Sequence, residues 1–186
     1  IVVFTSANLN GKSIIMNSDP IVIVGAARTP MGGLNGDLRT VSASELGSTA
    51  IAEAINRAGI TSDEVEDVVM GVVLAAGQGQ APARQASLGA GIPSHIGATT
   101  INKMCGSGMK SIMFACDNIL AGSHHVMVSG GMESMSNAPY LLPNVRGGLR
   151  MGNGELKDHM FLDGLEDAFE SCTLMGAYAE ATAQHY

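Results

Sequence analysis

Three short runs of β-branched and apolar residues constrain the fold of this chain most strongly. They cover residues 21–24, 68–74 and 126–128, and none of them carries a charge. Such runs are typical of strands that are buried on both faces of a parallel sheet. After the first run, Ser42 and Glu45 have the spacing of a capping box, and apolar residues then recur at helical spacing until Gly59. Strands that alternate with helices predict an α/β layered fold with a mostly parallel sheet.

Further helices and strands are predicted in the second half of the chain. Residues 80–90 indicate a short helix, residues 98–102 a strand, and residues 107–121 a longer helix. The apolar residues of the longer helix recur at helical spacing and predict its buried face: Met109, Ile112, Met113, Cys116 and Leu120. Residues 136–165 are rich in glycine, proline, asparagine and charge, so we expect a long excursion there from the layered fold.

The composition excludes several classes of function. The 186 residues carry a formal net charge of −7, with 4% aromatic residues and no tryptophan. The chain therefore has neither the basic patch nor the base-stacking aromatic surface that would indicate a nucleic acid or an anionic membrane as a partner. No uninterrupted apolar stretch reaches the roughly 18 residues that a membrane helix needs. We expect neither nucleic acid nor membrane to be a partner of this protein.

The cysteine pattern indicates a reducing compartment. There are three cysteines, Cys105, Cys116 and Cys172, and no C-x-x-C pair. An odd count without paired spacing argues against a disulfide framework and against a thiolate metal site. We therefore expect reduced thiols, no metal and a cytoplasmic protein.

The first residues of the chain allow two interpretations. The chain starts at Ile1, and the first strong strand pattern comes only after Met16, so residues 1–15 are interpreted as a leader or a non-native extension. The alternative is an ordinary N-terminal strand at residues 1–4. Residues 11–13, GKS, resemble the end of a phosphate-binding loop, but no glycine precedes them at the required spacing, so a phosphate site is not predicted.

Cys105 is the strongest candidate for chemistry. It follows the predicted strand at 98–102 and precedes the predicted helix at 107–121, at the sheet edge where open α/β folds place their ligands. The N-terminus of the helix favours a thiolate, and Lys103 and Lys110 add positive charge nearby. The alternative is that Cys105 is a small buried hydrophobic residue, as most free cysteines are.

The residues after Cys105 fit a reactive turn. Gly106 and Gly108 allow a tight elbow and a close approach of the backbone to a substrate. Backbone N–H groups at such an elbow are placed to hold a developing oxyanion. The sequence therefore favours a nucleophilic cysteine at residue 105.

Several motifs, in the same order along the chain, together resemble the thiolase family, the acetyl-CoA C-acyltransferases. They are residues 21–30 (IVIVGAARTP), 77–88 (GQGQAPARQASL), 102–110 (NKMCGSGMK), 129–140 (SGGMESMSNAPY), 163–169 (DGLEDAF) and 175–180 (MGAYAE). The resemblance covers about residues 19–186 and is much more specific than any single motif.

The resemblance implies a domain organisation. Thiolases consist of two similar βαβ-rich halves with a loop domain inserted in the first half. Residues 16–135 would then form the first half, and residues 136–186 the beginning of the loop domain, in a truncated chain. Residues 1–15 would stand outside both.

The resemblance also implies a two-step chemistry. Cys105 would be the nucleophile that takes an acyl group from an acyl-CoA and passes it to coenzyme A or to acetyl-CoA. Met175 would contribute to the acyl-CoA pocket, although Leu174 stands where some short-chain thiolases have histidine, so acyl-chain length is not predicted. Coenzyme A and acyl-CoA would be substrates, with no permanently bound cofactor. The other acid/base groups of the family lie in its second half, so the five histidines here are interpreted as structural or surface residues.

Two other functions are compatible with these residues. One is a different condensing enzyme of the same fold, such as a ketoacyl synthase, but the segment GGMESMS at residues 130–136 favours a thiolase. The other is a non-catalytic piece that folds or dimerises without turnover. By the resemblance, the complete parent would be a homodimer or a homotetramer, and the uncharged residues 98–102 would form a self-associating sheet edge.

Overall fold

The computed structural model describes residues 1–6 and 20–186 of the chain. Its strands are β1 (Val2–Ser6), β2 (Ile21–Ala26), β3 (Asp67–Gly71), β4 (Gly97–Ile101), β5 (Val126–Gly131), β6 (Tyr140–Leu141) and β7 (Lys157–Asp158). Its α-helices are α1 (Ala43–Ala58), α2 (Pro82–Gly89), α3 (Ser107–Leu120) and α4 (Met175–His185). Met16 and the GKS segment at 11–13 lie outside the described residues.

The central sheet has five strands in the order β2-β1-β5-β3-β4. The pairs β5–β3 and β3–β4 are parallel, whereas β1 is antiparallel to both of its neighbours. Helices α1 and α2 pack together over one face of the sheet, and α3 packs on β3 and β5 on the other face. The predicted α/β layered fold is confirmed, with a mixed sheet in which β2, β3, β4 and β5 run in one direction and β1 runs in the other.

The two N-terminal strands extend the sequence-based predictions. Residues 2–6 form a strand, which agrees with the N-terminal strand that was kept as the alternative at residues 1–4. Because residues 7–15 lie outside the described residues, the boundary of a leader at residue 15 stays a prediction. β2 was expected to be buried on both faces, but it is an outer strand of the sheet, and Ile23 is 57% exposed.

Helix α1 begins and ends where the sequence predicts. The Ser42 side chain accepts a hydrogen bond from the Glu45 N–H, and the Glu45 carboxylate accepts one from the Ser42 N–H. These two bonds satisfy backbone groups that the helix itself leaves unpaired. Gly59 ends the helix in a left-handed conformation with φ of 69°.

The predicted buried face of α3 is wrong in most of its residues, although Ile112 is partly buried and packs against the core. Met109 is 72% exposed, and Met113 and Leu120 are also exposed. The face that packs on the sheet consists of small residues and one isoleucine: Ser107, Ser111, Ala115 and Ile119. Small side chains bring the helix backbone close to the strands, since a Cβ added to Gly71 would lie 2.5 Å from the Ser107 carbonyl carbon. The periodicity predicted the helix correctly, but its most hydrophobic residues do not lie on the face that packs on the sheet.

Residues 136–186 form an irregular region outside the main sheet. It contains the two-stranded sheet of β6 and β7, short turns of 3-10 and π-helix, and α4. None of the α4 residues is buried. Within the described residues, no helix combines the length and hydropathy needed to span a bilayer.

Candidate active site

Cys105 lies in an exposed turn between β4 and α3. The position is at the carboxyl end of β4, an outer strand of the sheet, and one residue before the helix cap Gly106. An exposed thiol does not fit the alternative of a buried hydrophobic residue. The thiol lies at the N-terminus of a 14-residue helix, where unpaired backbone N–H groups carry a partial positive charge.

The turn that presents Cys105 is held by side-chain hydrogen bonds. The Asn102 Oδ1 atom accepts from the Met104 N–H at 2.8 Å. The Ser107 hydroxyl accepts from the Lys103 N–H at 2.9 Å and donates to the Met104 carbonyl at 2.5 Å. Ser107 is 4% exposed, so its hydroxyl is a fixed part of the turn. These bonds tie the two sides of the turn together and leave the thiol at its tip.

Met104 is the residue of this turn that adopts the unfavourable backbone conformation. This residue has a φ of 49°, in the left-handed region, which costs free energy for a residue with a side chain. Gly106 has an ordinary φ of −87°, so its turn does not require glycine. Gly108 allows a close approach to β5 and not to a ligand, because a Cβ added there would lie 3.4 Å from the Gly131 nitrogen. The predicted elbow exists, but the two glycines do not shape it as expected.

Two backbone donors of the turn are already used. The Gly106 N–H donates to the Lys103 carbonyl at 3.1 Å, and the Ser107 N–H donates to the Met104 carbonyl at 2.9 Å. An oxyanion next to Cys105 would therefore need other donors. The Lys110 ammonium, which was expected to add field at the thiol, lies 4.4 Å from the centre of the Phe114 ring.

The segment after β3 is clamped by Glu133, which the sequence analysis did not single out. The two carboxylate oxygens of Glu133 accept from the Val73 and Leu74 N–H groups at 2.9 and 3.0 Å. The Asn102 side chain also reaches this segment, donating to the Val73 carbonyl at 3.4 Å. The clamped segment is therefore connected to the turn that carries Cys105. In the sequence, the signal that could have indicated this contact is a single acidic residue, Glu133, shortly after an apolar strand.

His159 fixes the same segment from residues 136–186. Its Nε2 atom accepts from the Ala76 N–H at 3.3 Å, and its Nδ1 atom lies 2.5 Å from the Asp163 carboxylate. The ring is 5% exposed. These contacts fit the structural role that was predicted for the histidines. In the described part of the chain, no hydrogen bond joins Cys105 to a histidine.

A cleft of about 540 Å³ lies beside the sheet, between the loop at residues 28–34, helix α1 and the segment at 131–136. Met132, Met135 and Met160 line it, but Cys105 and Met175 do not. Met175 is the first residue of α4 and is 42% exposed. This cleft therefore contains neither of the two predicted site residues. Among the described residues, no cluster of three or more His, Cys, Asp or Glu side chains is arranged to hold a metal.

Comparison with known proteins decides the family. The family model "Thiolase, N-terminal domain" matches residues 21–186. The chain belongs to the thiolase family. Acetyl-CoA acetyltransferase 2 of Arabidopsis thaliana is 50% identical over 171 residues, which are 92% of this chain and 42% of that protein. The mitochondrial acetyl-CoA acetyltransferase A of Xenopus laevis is 51% identical over 166 residues, which are 89% of this chain and 39% of that protein.

A solved thiolase has the same fold. The structure of Acat5 thiolase from Ascaris suum in complex with coenzyme A superposes with a TM-score of 0.82 at 40% identity, over 88% of this chain and 42% of that one. This thiolase chain thus spans about two fifths of the length of the relatives it matches. Cys105 and Met175 both lie within the matched residues, whereas β1 precedes them.

Proposed function

We propose that the protein containing this chain is an acetyl-CoA C-acyltransferase and that Cys105 is its nucleophile. The observation that carries the proposal is the position of Cys105: an exposed thiol, at the tip of a hydrogen-bonded turn, directly before a helix N-terminus. Membership in the thiolase family and relatives named acetyl-CoA acetyltransferases support it. The same relatives favour a thiolase over a ketoacyl synthase.

The reaction proceeds in two steps through an acyl-enzyme intermediate. In acetoacetyl-CoA formation, the Cys105 thiolate attacks the carbonyl carbon of acetyl-CoA and the carbon–sulfur bond breaks, so that coenzyme A leaves as a thiolate that takes up a proton. In thiolysis, the thiolate attacks the 3-keto carbon of a 3-ketoacyl-CoA and the bond between C2 and C3 breaks, so that acetyl-CoA leaves as an enolate that takes up a proton. The thiol of another coenzyme A, or the enolate of acetyl-CoA, then attacks the new thioester and restores the Cys105 thiolate. Acyl-CoA and coenzyme A are substrates, and no permanent cofactor takes part. The coenzyme A complex of the Ascaris suum thiolase supports this substrate class.

The isolated 186 residues are expected to stop after the first step. The second step needs an acid or base for the incoming thiol or for the α-proton, and such groups typically contribute about 10²–10⁴ in rate. By resemblance, the family supplies those groups from its second half. We therefore expect this chain to become acylated at Cys105 and to release product very slowly.

Acylation of single cysteines tests the assignment. The chain is incubated with acetoacetyl-CoA, and the acetylated cysteine is identified by peptide mass spectrometry. Cys105 is expected to be modified, and Cys105→Ser to abolish the modification. Cys172→Ser is the matched control because Cys172 is also an exposed thiol. Modification of Cys172 in preference to Cys105 would overturn the proposal, and steady turnover by the isolated chain would overturn the expected arrest.

We further propose that Met175 borders the acyl-CoA pocket of the complete protein. Its place at the first turn of α4, within the family-matched residues, supports this role. Met175→Ala in the complete protein is expected to change the ratio of kcat/KM between short and long acyl-CoA substrates, and Met151→Ala, at a fully exposed methionine, serves as the control. An unchanged ratio would remove Met175 from the pocket.

The complete protein is proposed to be a cytoplasmic homodimer or homotetramer. β4 is an outer strand of uncharged residues, and such an edge pairs readily with another chain. Thr99→Lys is expected to shift light scattering of the chain toward a monomer, whereas unchanged assembly would separate self-association from this edge. The three free cysteines support the cytoplasmic assignment. Since several relatives are mitochondrial and one is cytosolic, imaging of the tagged complete protein in its own cells decides between the compartments.

A further inference from the structure

The buried ring of His159 selects one protonation state by its contacts. Its Nε2 atom accepts from the N–H of Ala76, in the segment after β3, at 3.3 Å. A backbone N–H can only donate, so Nε2 carries no proton. The proton of the neutral ring is therefore on Nδ1, which donates to the Asp163 carboxylate at 2.5 Å. Asp163 thus fixes the one tautomer of His159 that is able to hold Ala76.

Close packing encloses the segment on both sides of this contact. A Cβ added to Gly164 would lie 3.1 Å from the side chain of Leu74, which is 3% exposed. A Cβ added to Gly77 would lie 3.3 Å from the Pro139 side chain. The Pro139 carbonyl also accepts from the His159 N–H at 3.1 Å. The segment after β3 is therefore held by the same part of the chain that carries His159.

On its other side, the segment is hydrogen-bonded to the turn that presents Cys105. The Asn102 side chain donates to the Val73 carbonyl at 3.4 Å and accepts from the Met104 N–H at 2.8 Å. Met104, directly before Cys105, has the left-handed φ of 49°. An unfavourable conformation persists only where the surrounding structure imposes it. The position of the segment therefore determines where Asn102 can hold this turn.

The turn that contains Asp163 also supports the start of α4. This π-helical turn covers Phe161–Leu165, and its first carbonyl accepts from the Glu166 N–H at 2.8 Å. Glu166 forms an antiparallel bridge with Leu174, the residue directly before Met175. The same short turn therefore connects the buried imidazole to the position of Met175.

We infer that His159 is a positioning residue of the active site, which holds the turn of Cys105 and the turn before Met175 in a fixed arrangement. The inference rests on the proposed function, in which Cys105 is the nucleophile and Met175 borders the acyl-CoA pocket. His159 acts through the residues between and does not take part in the chemistry itself. Its effect is on the alignment of the thiol with the acyl group, where a misplacement of about 1 Å can cost roughly 100-fold in rate.

The tautomer of His159 is the first measurement. Nitrogen NMR of the ring in the unaltered chain is expected to show a protonated Nδ1 atom and an unprotonated Nε2 atom. Asp163→Ala should allow the other tautomer, which turns an N–H group toward the N–H of Ala76 and breaks that bond. Hydrogen exchange of the Ala76 amide should then rise by about tenfold or more. A proton on Nε2 in the unaltered chain would overturn the inference.

Hydrogen exchange at two amides tests the coupling to the nucleophile turn without any activity. His159→Phe keeps an aromatic ring but removes the acceptor, so exchange is expected to rise at Ala76 and also at Met104. His159→Gln restores an acceptor for the Ala76 N–H and should return both amides toward their original protection. His95→Phe, at an exposed histidine, is the control and should change neither. A rise at Ala76 with unchanged exchange at Met104 would overturn the positioning of this turn.

Acetylation of Cys105 by acetoacetyl-CoA gives the functional measurement. His159→Phe is expected to slow it by about tenfold or more, and His159→Gln to regain most of the rate, at a temperature where thermal unfolding shows each variant to be folded. Equal rates in the folded variants would overturn the inference. If the unaltered chain is not acetylated at Cys105, the proposed function fails, and exchange at Met104 still decides whether His159 positions the turn. If His159→Phe does not fold, Asp163→Ala, at a carboxylate that is 48% exposed, provides the same comparison.

Discussion

Helices α1 and α4 show how differently the two parts of this chain are held. α1 buries seven residues against the sheet and α2, begins with a capping box and ends in a left-handed glycine. α4 buries none of its residues, and its first cap, Leu174, makes no side-chain capping bond. Local propensity alone seldom stabilises a helix of 11 residues, so α4 depends on whatever packs against it. The layered sheet region that contains α1 therefore has its own hydrophobic core, whereas α4 at the end of the chain has none.

The largest expected contrast lies between two methionines. Met70 of β3 is fully buried, and Met151 is fully exposed. Met70→Ala should lower the free energy of unfolding by about 2–5 kcal/mol, because it removes apolar contacts and leaves a cavity. Met151→Ala should change it by less than about 0.5 kcal/mol. Urea denaturation of both variants measures the difference, and equal effects would contradict the division into two regions.

A smaller contrast is expected between two glutamates. Glu133 accepts from two backbone N–H groups of the segment after β3, whereas Glu155 pairs with Lys157 at the surface. Glu133→Gln keeps one acceptor and turns an amide N–H group toward the other donor. The expected cost is about 1–3 kcal/mol, the penalty for an unsatisfied buried group.

Glu155→Gln is the control for that measurement. A surface ion pair contributes little, so its expected effect on unfolding is within about 0.5 kcal/mol. Hydrogen exchange at the Val73 and Leu74 amides should rise in Glu133→Gln only. Unchanged protection of those amides would show that the clamp is not needed to hold the segment.

Helix capping gives the next contrast. Ser42→Ala removes the acceptor for the Glu45 N–H and should destabilise the chain by about 1 kcal/mol. Leu174→Ser places a capping residue at the start of α4, where the backbone is already extended, and should protect the amides of the first turn of α4 from exchange. An effect of Ser42→Ala below the error of denaturation would mean that packing alone holds the start of α1.

Local signals predicted much of the fold, and tertiary contacts decided the rest. The capping box and Gly59 gave the limits of α1, because capping depends only on neighbouring residues. The buried face of α3 was not predictable from hydrophobicity. Ser107 and Ser111 face the sheet because their small side chains let the helix pack closely, and the Ser111 hydroxyl donates a hydrogen bond to the Gly130 carbonyl. Likewise, no local pattern reveals that β1 lies inside the sheet and β2 at its edge.

The candidate site was predictable to a similar extent. The order of strand, cysteine and helix predicted the exposed thiol of Cys105, since that placement follows from the chain direction. The left-handed Met104 and the Glu133 clamp were not predictable, because both depend on residues brought together by folding. Glu133 lies 60 positions from Val73 in the sequence. A resemblance to thiolases pointed to the right motifs without giving the contacts between them.

The smallest expected effect is a pH dependence confined to residues 136–186. A hydrogen bond to the Glu170 carboxylate raises the pKa of Tyr178 from 10.0 to about 12. The folded state therefore favours the neutral phenol, so the contribution of this bond to stability is complete below pH 10 and is lost as the pH rises toward 12. Glu170→Gln removes the negative charge and should return the titration of Tyr178 toward its ordinary value.

Phenolate absorbance measures that titration once Tyr140 and Tyr186, the other two tyrosines, are replaced by phenylalanine. Glu180→Gln is the matched control, because it removes the same charge from α4 at a residue that does not act on the Tyr178 pKa. The bond joins the exposed α4 to the turn before it, so its effect should appear in the local exchange of residues 167–178 and leave the unfolding of the sheet unchanged. A titration near pH 10 in the unaltered chain would mean that α4 is not held there, and the contrast with α1 would then be larger than the structure indicates.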